Sequence, residues 1–253
     1  MRKMPEDIRI NANALSLRKQ LGEDAYSPID IFSVLSSIDD LTLVYYPLGR
    51  RISGMCLRDK DNKIIVINSE HTYGRQRFTA AHELCHIYFH ENLRKVVCPA
   101  AFDEKDPAEI EANHFASYFL ATYESLREFI EKRIQKDECH LSLEDIVRIE
   151  QYYGLSRQAT LIRLIREGYI SEEQAAEMKR GVIKYARELG HDVSLYKPSS
   201  EERKAITLGK YVKLAESLRE KELISEGLYE QYLLDAFRSD IVYGTAEDEE
   251  RYD

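Results

Sequence analysis

Two histidines four residues apart flank a glutamate in His82-Glu83-Leu84-Cys85-His86, an HExxH sequence. On a helix, positions i and i+4 share one face about 6 Å apart along the axis, so both imidazoles can converge on one tetrahedral Zn²⁺. Glu83 then sits beside the metal without ligating it. A carboxylate in that place is suited to act as general base, taking a proton from the water that attacks a peptide carbonyl. The flanking residues ask for a helix. Thr79, His82, Glu83, His86 and His90 fall within about 100° of one another on a helical wheel, and mostly apolar side chains from Phe78 to Phe89 fill the rest. This polar stripe holds neither Lys nor Arg, unlike an ordinary solvent face. An amphipathic helix whose outer face happens to carry histidine is the competing reading. His90 lies about 12 Å along the axis from His82, too far to share its zinc, and is placed only in the neighbourhood.

A third ligand must come from elsewhere. The helix expected from about Ala108 offers Glu109 and Glu111. Ala112, Ala116, Phe119 and Leu120 form its apolar face; Glu109 lies within that face, whereas Glu111 falls off it and reads as solvated. An acid aimed at a core needs a partner, and a bound cation is one. Asn113, one turn on, is placed to orient the Glu109 carboxylate. Asp106, Pro107 and Glu109 also match the N-cap, first-turn proline and third-position acid of a capping box. Spacing leaves the ligand and cap readings open.

Arg77-Phe78-Thr79-Ala80-Ala81-His82-Glu83-Leu84-Cys85-His86, followed by Glu109-Ile110-Glu111-Ala112-Asn113-His114-Phe115-Ala116, strongly resembles the ImmA/IrrE family of bacterial and phage metallopeptidases. The resemblance is firm from about Ser53 to Leu126 and continues in helical pattern to about Glu173. It implies a zinc cofactor held by His82, His86 and Glu109 rather than Glu111, with Glu83 catalytic. It implies a protein substrate, commonly a helix-turn-helix repressor or antitoxin whose loss switches on a mobile element or stress response. Many members carry Gly at the position of Cys85 and Met-Pro at Ala121-Thr122; here Cys85 is expected to pack and Thr122 to cap the next helix. An extended substrate can add itself to a sheet edge. Tyr73, Tyr118 and Arg77 are the nearby candidates for stabilising an oxyanion.

The elements that must position these groups are an α+β arrangement: a small mixed or antiparallel sheet packed against the HExxH helix, zincin-like, followed by a helical C-terminal region. A helix is expected over Pro5 to Leu21, and a second is introduced by Ser27, Pro28 and Asp30. Strands are expected over Leu41 to Tyr46, Ile52 to Leu57 and Lys63 to Asn68, the last two joined as a hairpin. A breaker-rich loop with Pro99, Asp103, Asp106 and Pro107 separates the two motif helices. Ser142, Ser156 and Ser171 cap later helices, Gly154 and Gly168 stop two of them, and a hinge near Pro198 to Ser200 precedes two final helices. This divides the chain into a metallopeptidase domain over 1–135, a helix-turn-helix-like subdomain over 136–196, C-terminal helices over 197–245 and an acidic tail over 246–253.

The 253 residues carry 36 basic and 45 acidic side chains, a net charge of -9. Ser142 to Glu167 has a helix-turn-helix outline, which raises a DNA-binding regulator, or a toxin-antitoxin component with a zinc-bound but non-proteolytic domain, as the alternative function. Its acids Glu144, Asp145, Glu150 and Glu167 balance Arg148, Arg157, Arg163 and Arg166, so direct duplex binding is not expected. Four cysteines without a CxxC pair point to reduced thiols. With no signal-peptide stretch and no long apolar run, a cytoplasmic protein away from membranes is expected.

Overall fold

A computed structural model describes residues 5–90, 95–100, 106–135 and 141–244; Asp103, Cys139 and the tail expected over 246–253 lie outside the described residues. The fold is α+β. Helices α1 (Pro5–Gln20) and α2 (Ile31–Ser36) lead into strands β1 (Leu41–Tyr46), β2 (Ile52–Arg58) and β3 (Lys63–Asn68). Next come α3 (Tyr73–Phe89), β4 (Lys95–Pro99) and α4 (Pro107–Leu120), then α5 (Tyr123–Glu128), which runs into a π-helical turn over Phe129–Ile134. The C-terminal region comprises α6 (Leu143–Tyr153), α7 (Arg157–Glu167), α8 (Glu172–Met178), α9 (Val182–Glu188), β5 (Ile206–Gly209), α10 (Lys210–Glu220), α11 (Glu226–Asp235) and α12 (Ser239–Tyr243). No helix among the described residues is long and apolar enough to cross a membrane.

The five strands form one sheet in the order β4-β2-β3-β1-β5. β1 and β3 run parallel, and the other pairs are antiparallel, including the expected β2–β3 hairpin. α3 packs on β2 and β3 and crosses α4, which in turn packs on α1. Alanines 80, 81, 112 and 116 are fully buried at this layer, and their small side chains let α3 and α4 approach closely. Leu84, Ile87, Phe115 and Phe119 fill the core around them.

The later caps form as expected: Ser142, Ser156 and Ser171 accept hydrogen bonds from the third residues of α6, α7 and α8, and Gly154 and Gly168 close α6 and α7 in left-handed conformation. Thr122 caps α5. Five features depart from expectation. Both β4 and β5 are strands where a loop and a helical region were expected. α2 begins at Ile31 with Asp30 as its N-cap residue, because buried arginines take the backbone upstream: Arg18 donates to Ser27 O at 2.5 Å and Arg77 to Ile29 O at 2.5 Å. The segment at Pro198 to Ser200 is tied down rather than hinge-like, since Ser199 Oγ donates to Gln76 Oε1 at 2.9 Å and Lys197 O accepts from Tyr73 N at 2.7 Å. Three short helices, not two, end the described chain.

Candidate metal centre

Helix α3 carries His82, Glu83 and His86 on the face turned toward α4 and the β2–β4 strands, and all three are buried. The Nε2 atoms of His82 and His86 lie 3.1 Å apart. Glu109, from the first turn of α4, places Oε2 at 3.3 Å from His82 Nε2 and Oε1 at 3.2 Å from His86 Nε2. Bonds of 2.0–2.1 Å at tetrahedral angles have ligand-to-ligand edges of about 3.3 Å, so these three groups fit a zinc ion. Asp106 caps α4 through a bond from Ala108 N at 2.9 Å. The Glu109 carboxylate is turned to the imidazoles instead.

The outer nitrogens of both imidazoles are engaged. Asn113 Oδ1 lies 3.0 Å from His82 Nδ1; an amide oxygen only accepts, so Nδ1 carries a proton, and in the neutral ring that a metal requires Nε2 is the nitrogen left with a lone pair. Asn113 therefore orients His82, not Glu109 as its position on the wheel suggested. His86 Nδ1 meets His90 Nδ1 at 2.8 Å. Behind His90 stands Glu111, 3.9 Å from its Nε2 and 2.8 Å from Arg9 Nη1. Glu111 thus points away from the centre, anchored by Arg9 rather than simply solvated.

Electrostatics follow from burial. Desolvation would raise the Glu109 pKa, but hydrogen bonds from His82 and His86 bring it down to about 2. Burial works against charging His82, and Glu109, Glu83 and Asn113 reverse that, raising its pKa. Glu83 is 0% exposed, and neither carboxylate oxygen has a well-formed hydrogen bond among the described residues. Burial pushes its pKa up against the opposing pull of His82, the Cys98 thiol, His86 and the Cys56 thiol. A buried carboxylate left without a partner is costly unless something else in the site engages it.

The centre opens into a cleft of about 520 Å³, counting its open mouth. Its walls are Ser53 of β2, Arg75, Phe78 and Thr79 of α3, Cys98 and Pro99 of β4 with Ala100, Asn113 of α4, and Ser156, Gln158 and Ala159 at the start of α7. Arg75 donates to Ser53 Oγ at 3.0 Å and also to Ala100 O. The oxyanion candidates are committed elsewhere: Tyr118 donates to Glu167 at 3.2 Å, Arg77 binds Gly154 O and Ile29 O, and Tyr73 packs on Phe32. None of them lines the cleft.

Three contributors were not anticipated. Gly54 of β2 faces Glu83 so closely that a Cβ there would stand 2.8 Å from Oε1. Cys98 brings its sulfur within 4.8 Å of the donor atoms of His82, His86 and Glu109. Arg75, rather than Arg77, brings a guanidinium to the cleft wall. A glycine in the interior of the strand Ile52–Arg58 was the available signal for the first; the other two depend on contacts between segments remote in sequence.

A mixed sheet backed by an HExxH helix and an acid from the next helix defines a metal-binding peptidase-type architecture. A profile of the IrrE N-terminal-like domain, peptidase family M78, matches residues 41–164. That stretch, just under half of the chain, is similar to the ImmA/IrrE peptidase domain, in line with the family that the two motifs resemble. The chain is 39% identical over 57 residues to the radiation response metalloprotease IrrE of Deinococcus deserti, a stretch covering 22% of this chain and 19% of that protein. The match therefore spans about a fifth of that relative's length.

Proposed function

We propose that the chain is a zinc-dependent metallo-endopeptidase that cleaves a protein, in the first instance a helix-turn-helix repressor or antitoxin encoded beside it. The observation carrying this reading is the convergence of His82, His86 and Glu109 at 3.1–3.3 Å with the unpartnered Glu83 alongside. The family and its metalloprotease relative support it; the repressor as substrate rests on the family resemblance.

Zinc held there would supply a Lewis acid that acidifies water and polarises a peptide carbonyl. Asn113 and His90 keep the imidazoles turned inward, and Glu109 adds an anionic oxygen. Glu83, whose burial raises its proton affinity, takes the proton of the attacking water and returns it to the leaving amine. Arg75 brings a guanidinium to the cleft wall. β4 is an edge of the sheet and lines the cleft, so an extended substrate can pair with it as a further strand.

The DNA-binding reading loses support from α7. Its Arg157 and Arg163 are buried in ion pairs with Glu150 and Glu167, which leaves them unable to neutralise phosphate. Its first turn walls the cleft instead. Three buried free thiols, Cys56, Cys85 and Cys98, suit a reducing compartment such as the cytoplasm.

The test is co-expression with the neighbouring repressor, paired with metal analysis. Wild type is expected to clear the repressor and hold about one zinc per chain; Glu83→Gln keeps the zinc and spares the repressor; Glu109→Gln loses the zinc; Glu111→Gln matches wild type. Zinc binding with no Glu83-dependent loss of repressor would mark a non-proteolytic zinc protein instead.

A further inference from the structure

We propose that Cys98 is a fourth protein ligand of this centre, so that the resting site is a closed His-His-Glu-Cys set; the inference rests on the metal-centre reading above. The Cys98 sulfur lies 3.8 Å from Glu109 Oε1, and the donor atoms of all four residues lie within 4.8 Å of one another. With Zn–S of 2.3 Å and Zn–O of 2.0 Å, a tetrahedral edge between sulfur and oxygen is about 3.5 Å, so the sulfur-to-Glu109 edge is within a few tenths of an ångström of ligation, and a side-chain shift of about 1 Å closes the widest separation in the set.

Strand register explains why the sulfur is there. Cys98 pairs with Gly54 across the β2–β4 ladder, next to an irregularity between Ile52 and Gly54. Paired residues on neighbouring strands project to the same face. Gly54 is the residue whose missing Cβ faces Thr79 and Glu83 of α3, so its partner Cys98 projects toward that same helix. The thiol is 2% exposed and sits between the carboxylates of Glu83 and Glu109. A thiolate there needs a cation, and a divalent metal is the one that the surrounding donors fit.

Hydrolytic zinc sites keep one position open, whereas structural sites are closed by four protein ligands. Cys98 in the fourth position leaves the attacking water no place until the thiolate departs. The resting protein is therefore latent, and β4, the strand offered to substrate, carries the group that must leave.

X-ray absorption at the zinc edge of the full-length protein tests this without an activity assay. Wild type is expected to show three nitrogen or oxygen scatterers and one sulfur at about 2.3 Å, the sulfur vanishing in Cys98→Ser and Cys98→Ala while the lighter ligands remain. Zinc held in wild type by nitrogen and oxygen alone would overturn the thiol assignment and leave the three-ligand centre standing. A sulfur that persists in both variants would overturn it too. Zinc absent from every protein would overturn the metal-centre reading and this inference with it. The wild-type spectrum decides even if one variant fails to fold.

Discussion

Asn113 on α4 holds His82 on α3 by its outer nitrogen, with Oδ1 and Nδ1 3.0 Å apart. This bond selects the tautomer that leaves Nε2 free for metal and fixes the plane of the ring. Groups in this position typically contribute 10–100-fold in metal affinity. Asn113→Ala is therefore expected to weaken zinc binding by roughly that factor, with Asn113→Asp, which can still accept the bond, retaining most of it. Competition with a chromophoric chelator measures both.

That contact also marks where reading a sequence stops. HExxH is legible because helical periodicity is local, and the serine caps and glycine stops of α6 and α7 are legible for the same reason. Glu109 obeyed two local rules at once, and only its distance from the two imidazoles separates them. Asn113 sits one turn from Glu109 on its own helix, yet its side chain crosses to another, which a wheel of one helix does not represent. β4 and β5 are five and four residues long and are stabilised by pairing with β2 and β1. Neither has length enough for a periodic signature, so Cys98 stayed hidden as a site residue.

Gly54 gives a second prediction. A methyl at this position would stand 2.6 Å from Thr79 Cγ2, 2.8 Å from Glu83 Oε1 and 2.8 Å from the backbone oxygen of Val66. The Val66 oxygen, on β3, cannot yield as a flexible side chain does, so the β2–β3 pairing must distort while Thr79 and Glu83 of α3 are pushed aside. Gly54→Ala is expected to cost about 1–3 kcal/mol in denaturant unfolding, the range for overpacking, and to slow cleavage by displacing Glu83. Unchanged stability with full activity would show that the strands and helix adjust without consequence.

His71 supplies a pH dependence away from the metal centre. Burial and then the nearby Arg75 lower its pKa to about 4, below the ordinary value of 6.5. Between these values the unfolded chain binds a proton that the folded chain refuses, so stability rises with pH across this window and is lost as pH falls from about 6.5 toward 4. In chelator, where metal linkage is absent, His71→Gln is expected to lose less stability than wild type between pH 7 and pH 4.5. Urea unfolding at the two pH values measures the difference, and equal losses in both proteins would rule His71 out as a source.

Arg157 tests whether the α6–α7 pair serves the cleft wall. Its guanidinium is buried against Glu150, whose pKa burial raises while Arg157 and the Tyr196 hydroxyl, at 2.8 Å, pull it back. Ser156 and Gln158, the residues on either side of Arg157, line the cleft. Removing one member of a buried pair strands the other charge and costs about 3–5 kcal/mol, whereas replacing both with apolar groups is often neutral or stabilising. Arg157→Met is thus expected to destabilise strongly, and Arg157→Met with Glu150→Leu to recover most of the loss, as read by chemical denaturation. Because the pair braces the start of α7, the single variant is also expected to weaken substrate binding, raising KM more than it lowers kcat. A single variant as stable as wild type would mean that the pair is solvated in solution and does not brace the wall.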